Sequence, residues 1–546
     1  MGKPSPAQLD RPAAKPEAPP RFVYERRQPE LGALHRAVRT GWPQVKALAR
    51  ERTGAALPEF VDKAMKAYIG CGQLANGFAR FRCSSCPKDV LVAFSCKLRG
   101  LCPSCDGKRM LEEAEHMTTA ILPDIPYRQW VFTLPFDLRY VLAWNADLRN
   151  AVHQALMRAI NKHYRRDAEL QGVQGPLQGA AISVAQRMSS NLQLNLHWHV
   201  LLADGVWTEH DGHATFHPAE PLDTMRVQET LHDAVLRIDK VLKSKGWQDR
   251  DDDPFAQAEP ALAELWKAAL LGRPIDDSVA LKNKAQLRGL PRPQGRNCAQ
   301  MDGFSLHANT FVGPAARDEL YKLVKYLCRP SIAGKRVTEQ EDGRFRVELK
   351  TAWRDGTTAV FLSPANLTAR MAALIPLPGK PTIRYLGAFA PNAKLRPLVV
   401  QAGALAPRRR DKPQAAGHDC QVALTDAELA HHAVEQARQT SGRLSWSAAM
   451  KITWKIDTLQ CPCGGRRKLV ALIDQPPVIK KILAHLGLAT EALTKPEDPV
   501  WRVRGPPDEL FPPDVDESGL PVELDAVDED PGEPFFDELP ADDWAA

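Results

Sequence analysis

The spacing of apolar residues along the chain predicts a mixture of helices and strands. Helices are predicted where apolar side chains recur every three or four positions, because that period places them on one buried face. Strands are predicted where apolar and polar residues alternate, or where a short apolar run lies between turn residues. The resulting helices cover residues 24–68, 108–122, 139–164 and 316–327, and the strands cover residues 129–133, 181–187, 192–202, 304–311 and 345–349.

The order of these elements predicts the fold class. Strands from distant parts of the chain, separated by helices, are typical of an α+β domain with a mostly antiparallel sheet. The strand at residues 345–349 lies between two signals for tight turns, Asp342-Gly343 and Asp355-Gly356. Residues 249–297 are charged and contain five prolines, so we interpret them as an insertion into this domain.

The most informative segment is residues 191–200, in which polar and apolar residues alternate strictly. Successive side chains of a strand point to opposite faces, so one face would pack on a core and the other would present His197 and His199. The two residues would lie about 7 Å apart along the strand. Paired histidines on a polar face pack poorly and bind metals well, and they therefore predict a metal site. Gln186 on the preceding strand and His307 on a later strand are candidates for a third ligand.

A second candidate metal site lies earlier in the chain, where six of the eleven cysteines fall within 35 residues. Two C-x-x-C pairs are separated by fifteen residues, which is the spacing of a zinc ribbon that holds Zn²⁺ with four thiolates. We assign these four ligands to Cys83, Cys86, Cys102 and Cys105. Cys71 and Cys96 would replace one of them, bind a second ion or be buried.

Basic residues beside the C-x-x-C pairs and a later cysteine motif are further candidates for function. Four basic residues beside the C-x-x-C pairs suit a DNA phosphate backbone, and they are Lys97, Arg99, Lys108 and Arg109. Cys461-Pro-Cys463 resembles half of another knuckle, which among nearby residues only His418 and Cys420 could complete. We interpret this later motif as a remnant or a turn.

The charge is distributed unevenly along the chain. Residues 507–546 contain fifteen Asp and Glu and no Lys or Arg, so removing their charge of −15 from the net +6 leaves +21 on the remaining residues. A body this basic suggests a polyanionic partner such as nucleic acid. The acidic tail and residues 1–29 have the composition of disordered segments. No apolar run is long enough to span a membrane, no signal peptide is evident, and we expect a cytoplasmic protein with reduced cysteines.

Several ordered motifs resemble the HUH-endonuclease transposases of rolling-circle insertion sequences, specifically the common-region type. The resemblance covers residues 71–488 and is strongest from Gly179 to Gly205, which includes His197-Trp-His199. The other matching motifs are Phe94-Ser-Cys96, Cys102-Pro-Ser-Cys105, Arg128-Gln-Trp130, Gly303-Phe-Ser-Leu-His307, Tyr326-Leu-Cys-Arg-Pro330, Trp353-Arg-Asp-Gly-Thr357 and Ala390-Pro-Asn-Ala393.

This resemblance implies a mechanism and a set of site residues. His197 and His199 would bind Mg²⁺ or Mn²⁺ at the scissile phosphate of single-stranded or melted DNA at the ends of the element, and Gln186 is the candidate taken as third ligand. A tyrosine would attack that phosphate and form a 5′-phosphotyrosine with a free 3′-OH. The fold implied is an HUH-type palm with a small zinc-binding domain before it.

The resemblance also implies a single nucleophile, Tyr326. Tyr321 and Tyr326 lie five residues apart on a predicted helix, so at about 100° per residue they point roughly 140° apart and would not share one site. Helix geometry does not say which of them acts, but Tyr326-Leu-Cys-Arg-Pro330 matches the tyrosine motif of the family. Lys322 and Arg329 near Tyr326 would contact DNA.

Together these features divide the chain into five segments. They are a disordered N-terminus at 1–29, a helical and zinc-binding domain at 30–122, a catalytic domain at 123–400, a helical, DNA-associated region at 401–500 and the acidic tail at 507–546.

Three other functions remain open at this point. A replication initiator or plasmid relaxase would use the same chemistry, a non-catalytic zinc-ribbon protein would only bind DNA, and a His-metal phosphoesterase would cut without a covalent intermediate.

Overall fold

The structure is a computed structural model that describes residues 28–86, 88–247, 252–275, 290–353, 355–379, 381–404 and 459–493. Residues 1–27 and the acidic tail lie outside these described residues. The helices are α1 Ala33–Thr53, α2 Glu59–Ile69, α3 Pro103–His116, α4 Phe136–Trp144, α5 Ala146–Leu170, α6 Thr224–Ser244, α7 Pro254–Ala258, α8 Pro260–Leu271, α9 Arg317–Leu327, α10 Pro364–Ala373, α11 Arg396–Ala404 and α12 Pro476–His485.

The strands follow the same chain order. They are β1 Phe78–Cys83, β2 Asp89–Ala93, β3 Tyr127–Thr133, β4 Ala180–Met188, β5 Leu194–Ala203, β6 Gly205–His210, β7 His213–Pro218, β8 Arg292–Pro293, β9 Cys298–Met301, β10 Phe304–His307, β11 Phe311–Val312, β12 Val337–Glu339, β13 Phe345–Glu348, β14 Ala359–Leu362, β15 Ile383–Gly387 and β16 Arg467–Ile473.

An antiparallel sheet of eight strands forms the centre of the described structure. Its order is β15-β4-β5-β3-β10-β9-β8, and β11 pairs with β3 as well. The predicted His-x-His strand is β5, which lies between β4 and β3 and is hydrogen-bonded on both sides. The predicted α+β fold with a mostly antiparallel sheet is therefore confirmed.

One face of this sheet is covered by α5 and α6. The even-numbered residues of β5, such as Trp198 and Val200, belong to one apolar cluster with Leu156 of α5 and Leu231 of α6. This is the core face that the alternation in the sequence predicts. Burial of these apolar side chains fixes which face of β5 is left for the two histidines.

The opposite face of the sheet is covered only in part. Residues such as Ile182 and Leu201 pack there against α9 through Leu320 and Val324. The region beside this cluster is a cavity rather than a packed layer. The second face thus combines a core that holds α9 in place with an open site next to it.

Two of the predicted segments pack against distant parts of the chain. Helix α1 shares one apolar cluster with cysteines of the block, such as Cys102, and it packs there against α8 and α10 as well. The predicted insertion at 249–297 contains α8, whose Leu262 and Trp266 are fully buried in the same cluster. Two of the five prolines, Pro254 and Pro260, begin α7 and α8, where proline is tolerated.

The described part of the predicted C-terminal region, residues 459–493, pairs with the segment that contains the first C-x-x-C pair. The sequence predicts a helical region at 401–500, and within it β16 pairs antiparallel with β1 and completes the sheet β16-β1-β2. Ile479 and Leu483 of α12 pack against Phe78 of β1. Residues 459–493 are therefore part of the same unit as the cysteine block near the N-terminus.

Two predicted elements, a strand and a helix, lie close to their predicted positions. The strand at 345–349 is β13, which pairs with β12 and β14, and the turn glycines Gly343 and Gly356 have φ values of 78° and 84°. The helix predicted at 139–164 is interrupted at Asn145, whose side chain accepts a hydrogen bond from the backbone N–H of Leu148 and caps α5. Among the described helices, none is long and apolar enough to cross a membrane.

The contact between α1 and α10 gives a prediction for stability. A Cβ atom at Gly41 would lie 2.1 Å from the carbonyl oxygen of Pro364, so Gly41→Ala should lower the free energy of unfolding by about 1–3 kcal/mol. Gly107 in α3 is the control, because a Cβ there meets only Pro330 at 3.9 Å and alanine suits a helix better than glycine.

Urea unfolding of the two variants measures both effects. Gly107→Ala should be neutral or gain up to about 1 kcal/mol. Equal stability gains in the two variants would contradict the close packing of α1 on α10.

Candidate functional site

The odd-numbered face of β5 presents the histidine pair. His197 and His199 are buried, and their Nε2 atoms lie 3.1 Å apart with ring centroids at 5.0 Å. The Nδ1 atom of His197 is 2.9 Å from the backbone oxygen of Asn195, and the Nδ1 atom of His199 is 2.7 Å from the side-chain nitrogen of Gln129. Each ring therefore has a contact at its Nδ1 atom, and the Nε2 atoms of the two rings point towards each other.

This geometry fits a divalent ion. Two nitrogen ligands at about 2.1 Å from a metal and at right angles to each other are roughly 3 Å apart. The measured 3.1 Å between the Nε2 atoms therefore suits two adjacent positions around one ion. Neutral imidazole nitrogens are ordinary ligands for such a site.

Gln186 is the better placed of the two candidates for a third ligand. It lies directly opposite His197 in the register of β4 and β5, and it lines the same cavity. Its side-chain nitrogen donates to the backbone oxygen of Leu327 at 3.1 Å, which leaves the amide oxygen as the atom that could bind an ion. Gln186 thus links the histidine strand to the end of α9.

His307 lines the same cavity but lies farther from the pair along the sheet. It lies on β10, separated from His199 by β3, and its Nε2 is 3.3 Å from the sulfur of Cys298. Burial lowers the pKa of His307 to about 4 and raises that of Cys298 to about 12, so both are neutral near pH 7. Among the described residues, no third His, Cys, Asp or Glu completes a trio of ligands with His197 and His199.

Tyr326 lies beside the histidine pair at the last turn of α9. Its ring meets that of His199 edge-on with centroids 5.8 Å apart. The Arg329 guanidinium lies over the tyrosine ring at 4.1 Å from its centroid, and the Lys350 ammonium lies at 5.1 Å. Two cations thus surround the phenol next to the candidate metal ligands.

Tyr321 lies elsewhere on α9, as the helix geometry predicts. It packs against the apolar cluster that contains Leu320 and Val324, and the Lys325 ammonium lies 5.8 Å from its ring centroid. The structure therefore brings only one of the two tyrosines of this helix to the histidine pair.

The cavity around these groups has a volume of about 300 Å³ and a basic rim. Its polar floor comes from the central sheet, where His197 is followed across the strands by Thr133 and Ser305. Its lining includes four cationic side chains, which are Arg296, Arg329, Arg336 and Lys350. A phosphate group entering this cavity would meet these positive charges.

The cysteines form two clusters rather than the predicted ribbon. In the first, Cys71, Cys96, Cys102 and Cys105 place their sulfurs within 4.8 Å of one another. Sulfur–sulfur distances of 3.5 and 3.8 Å match the edges of a tetrahedron of thiolates bound to zinc at about 2.3 Å. The ligands that the sequence left unplaced, Cys71 and Cys96, therefore complete a site with the second C-x-x-C pair.

The second cluster corrects the prediction further. Cys83 and Cys86 meet Cys461 and Cys463, with sulfur distances of 3.5 Å and 3.6 Å across the two pairs. The Cys461-Pro-Cys463 motif is thus half of a site, and its interpretation as a remnant is wrong. The Ser85 backbone N–H, which lies 3.3 Å from the Cys83 sulfur, lowers the pKa of that thiol to about 6.

The pairing of Cys83 and Cys86 with the Cys461-Pro-Cys463 motif could have been predicted only by counting the cysteine motifs. Two C-x-x-C pairs and one C-x-C pair, with Cys71 and Cys96 left over, supply eight cysteines, enough for two complete zinc sites. His418 and Cys420, the sequence-based candidates for partners of Cys461-Pro-Cys463, lie outside the described residues.

The basic residues that the sequence predicts to contact DNA lie in different surroundings. Arg109 donates to Asp106 at 2.8 Å and to the backbone oxygen of Lys97 at 2.9 Å, so its guanidinium holds the cysteine loop together. Lys108 forms an ion pair with Glu112 at 3.3 Å. Lys97, Arg99 and Lys322 are exposed. A smaller cavity, lined by Arg99 and Arg109, shares Gln186 and Arg329 with the histidine cavity.

Comparisons with known proteins match two parts of the chain. A family model described as "Transposase zinc-binding domain" matches residues 39–134, and one described as "Putative transposase" matches residues 180–396. The first match includes six of the eight clustered cysteines, and the second includes the histidine pair and Tyr326. No curated protein and no solved structure matches the chain.

The two clusters predict two zinc ions per chain. Elemental analysis should find two for the unmodified protein and one after Cys461→Ser combined with Cys463→Ser, because four thiolates are needed for each tetrahedral site. Cys298→Ser is the control, since this buried cysteine belongs to neither cluster and its loss should leave two ions. One zinc ion in the unmodified protein, or two in the double variant, would contradict the assignment.

Proposed function

Because the chain belongs to the transposases of the common-region type, we propose that it nicks and rejoins single-stranded DNA with Tyr326 as nucleophile. The observation that carries this proposal is the edge-on contact between Tyr326 and the histidine pair, with ring centroids of Tyr326 and His199 at 5.8 Å. A transposase of this kind needs a nucleophile, a phosphate site and a place for a divalent ion close to one another. The substrate proposed is single-stranded or melted DNA at the ends of the mobile element.

The histidine pair would hold Mg²⁺ or Mn²⁺, with Gln186 as a third ligand. When bound, the ion would polarise the scissile phosphate and stabilise the charge that builds up during attack. The converging Nε2 atoms and the nearby amide of Gln186 support this role. The protein contributes two imidazoles that are already oriented, so little rearrangement is required when the ion binds.

Tyr326 would act on the phosphate that the cavity holds. Its phenolic oxygen forms a bond to phosphorus, the bond from phosphorus to the 3′ oxygen breaks, and the phenol's proton is lost while the 3′ oxygen gains one. The 5′ end of the DNA then remains on the tyrosine. Attack by another 3′-OH reverses these bond changes and joins the strands, so no ATP is consumed.

Arg329 and Lys350 would bind the non-bridging oxygens of the same phosphate. Their positive groups lie 4.1 and 5.1 Å from the centroid of the Tyr326 ring, on the rim of the cavity. Charge-assisted hydrogen bonds from such groups would favour the tyrosine as a phenolate and then as a phosphate ester. This assigns to Arg329 the DNA contact expected from the sequence and adds Lys350 to it.

Tyr326→Phe should abolish covalent adducts between the protein and a labelled single-stranded oligonucleotide that carries an element end. The variant loses only a hydroxyl group, so folding should be retained. Tyr321→Phe is the matched control on the same helix and should form adducts at the unmodified rate, because Tyr321 packs away from the cavity. Denaturing gels score both adducts and nicking.

Each other outcome of this experiment supports a different function. Adducts in Tyr326→Phe would contradict the nucleophile, and nicking without any adduct would indicate a metal phosphoesterase. DNA binding without nicking by the unmodified protein would indicate a non-catalytic DNA-binding protein. Nicking confined to a replication origin or a transfer origin would indicate an initiator or a relaxase.

His197→Ala combined with His199→Ala should reduce nicking by at least a factor of about 100, since the ligands of the ion are lost. DNA binding should change little, because both side chains lie within the cavity and not on the outer surface. His210→Ala with His213→Ala is the control, as these residues are exposed at the turn between β6 and β7. Nicking at the unmodified rate by the first variant, in Mg²⁺ or Mn²⁺, would place the metal site elsewhere.

A further inference from the structure

We propose that Gln129 is a positioning residue for the histidine pair, because its side-chain amide sets both the orientation and the tautomer of His199. The inference rests on the proposed function, since it takes His197 and His199 as the ligands of the divalent ion. Gln129 does not touch the reacting phosphate. It would decide whether the Nε2 atom of His199 offers a lone pair or a hydrogen to the space between the two rings.

Gln129 is held firmly behind His199. It lies on β3, next to β5, and its side-chain nitrogen is 2.7 Å from the Nδ1 atom of His199. Its backbone N–H donates to the backbone oxygen of Thr310 at 3.0 Å. Gln129 is 2% exposed and His199 is fully buried, so water has little access to replace this contact.

The contacts of the two rings form a consistent chain of hydrogen bonds for two neutral histidines without an ion. The amide N–H of Gln129 donates to Nδ1 of His199, which places the hydrogen of that ring on Nε2. That Nε2–H can donate to Nε2 of His197 at 3.1 Å, while Nδ1–H of His197 donates to the backbone oxygen of Asn195. The hydrogen of His199 then occupies the space that an ion would need.

An ion requires the other tautomer of His199. With the hydrogen on Nδ1, both Nε2 lone pairs face the ion, and Nδ1–H needs an acceptor. A half-turn of the Gln129 amide supplies its oxygen at the same position without moving the backbone. A side-chain amide is suited to this role because it carries a donor and an acceptor of similar size.

The two histidines differ in the group that their Nδ1 atom faces. Nδ1 of His197 faces a backbone oxygen, which can only accept, so this ring always directs its Nε2 lone pair into the site. Nδ1 of His199 faces instead the side-chain amide of Gln129, which can donate or accept. The sequence supports the same conclusion only weakly, because Gln129 appears there as an ordinary polar residue of a strand.

Mn²⁺ binding to the full-length, zinc-loaded protein tests this role directly. Electron paramagnetic resonance measures the free ion during titration, independently of nicking. Gln129→Met, which removes the hydrogen bond with little change in size, should raise the Kd by about 10- to 100-fold. Gln129→Glu, whose carboxylate accepts from Nδ1–H, should restore a Kd equal to or lower than that of the unmodified protein.

Two controls accompany these variants. Gln300→Met changes a glutamine on β9, in the same sheet, whose amide contacts Gln294 and not the histidines, and it should leave the Kd unchanged. Gln129→Asn keeps the amide but withdraws it by one methylene, so it should weaken binding as Gln129→Met does. This variant preserves the test if Gln129→Met fails to fold, as judged by zinc content and circular dichroism.

The outcomes separate this inference from the function on which it rests. If His197→Ala abolishes Mn²⁺ binding while Gln129→Met and Gln129→Asn stay within twofold of the unmodified protein, the role of Gln129 is refuted and the metal site stands. If His197→Ala leaves the Kd unchanged, the proposed metal site fails, and the role of Gln129 fails with it.

Discussion

The alternation of side chains along β5 is the constraint on which the rest of the structure depends. This strand is buried along its whole length and pairs on both sides, so each residue is assigned to one of two faces. A shift of one residue would exchange Trp198 with a histidine and place imidazoles in the apolar core under α5 and α6. The energy of apolar burial on one face therefore holds the two histidines on the other.

The first cysteine cluster contributes to the same site from a distance. Helix α3 begins at Pro103, directly after Cys102, and it packs against α9, which carries Tyr326. The position of the tyrosine relative to the histidines thus depends on a helix that the cluster anchors. The second cluster joins residues more than 370 positions apart and attaches the C-terminal segment to the same unit. The cysteine sites therefore support the arrangement of the cavity and take no part in the proposed chemistry.

Local patterns in the sequence were sufficient for the elements that form the site, β3, β4, β5 and α9, and for the two faces of β5, because periodicity depends only on neighbouring residues. Helix geometry separated Tyr321 from Tyr326 for the same reason. The pairing of the cysteines could not be predicted in this way, since the partners of Cys83 and Cys86 lie more than 370 positions later in the chain. The burial of α8 was missed because the charge and the prolines of residues 249–297 suggested an insertion, whereas Trp266 is buried against α1 and α10. His307 was a plausible ligand by residue type, and only the strand order shows that β3 separates it from His199.

The central claim is that one tyrosine of α9 carries the DNA during the reaction, and peptide mapping of the covalent complex tests it most directly. The protein is incubated with a single-stranded element end, trapped, digested with a nuclease and cleaved after lysine. Lys322 and Lys325 lie between the two tyrosines of α9, so the peptides are separable. We expect a nucleotide phosphate on the peptide of residues 326–335, attached to Tyr326. A nucleotide on any other residue would contradict it, as would nicked DNA with no modified peptide.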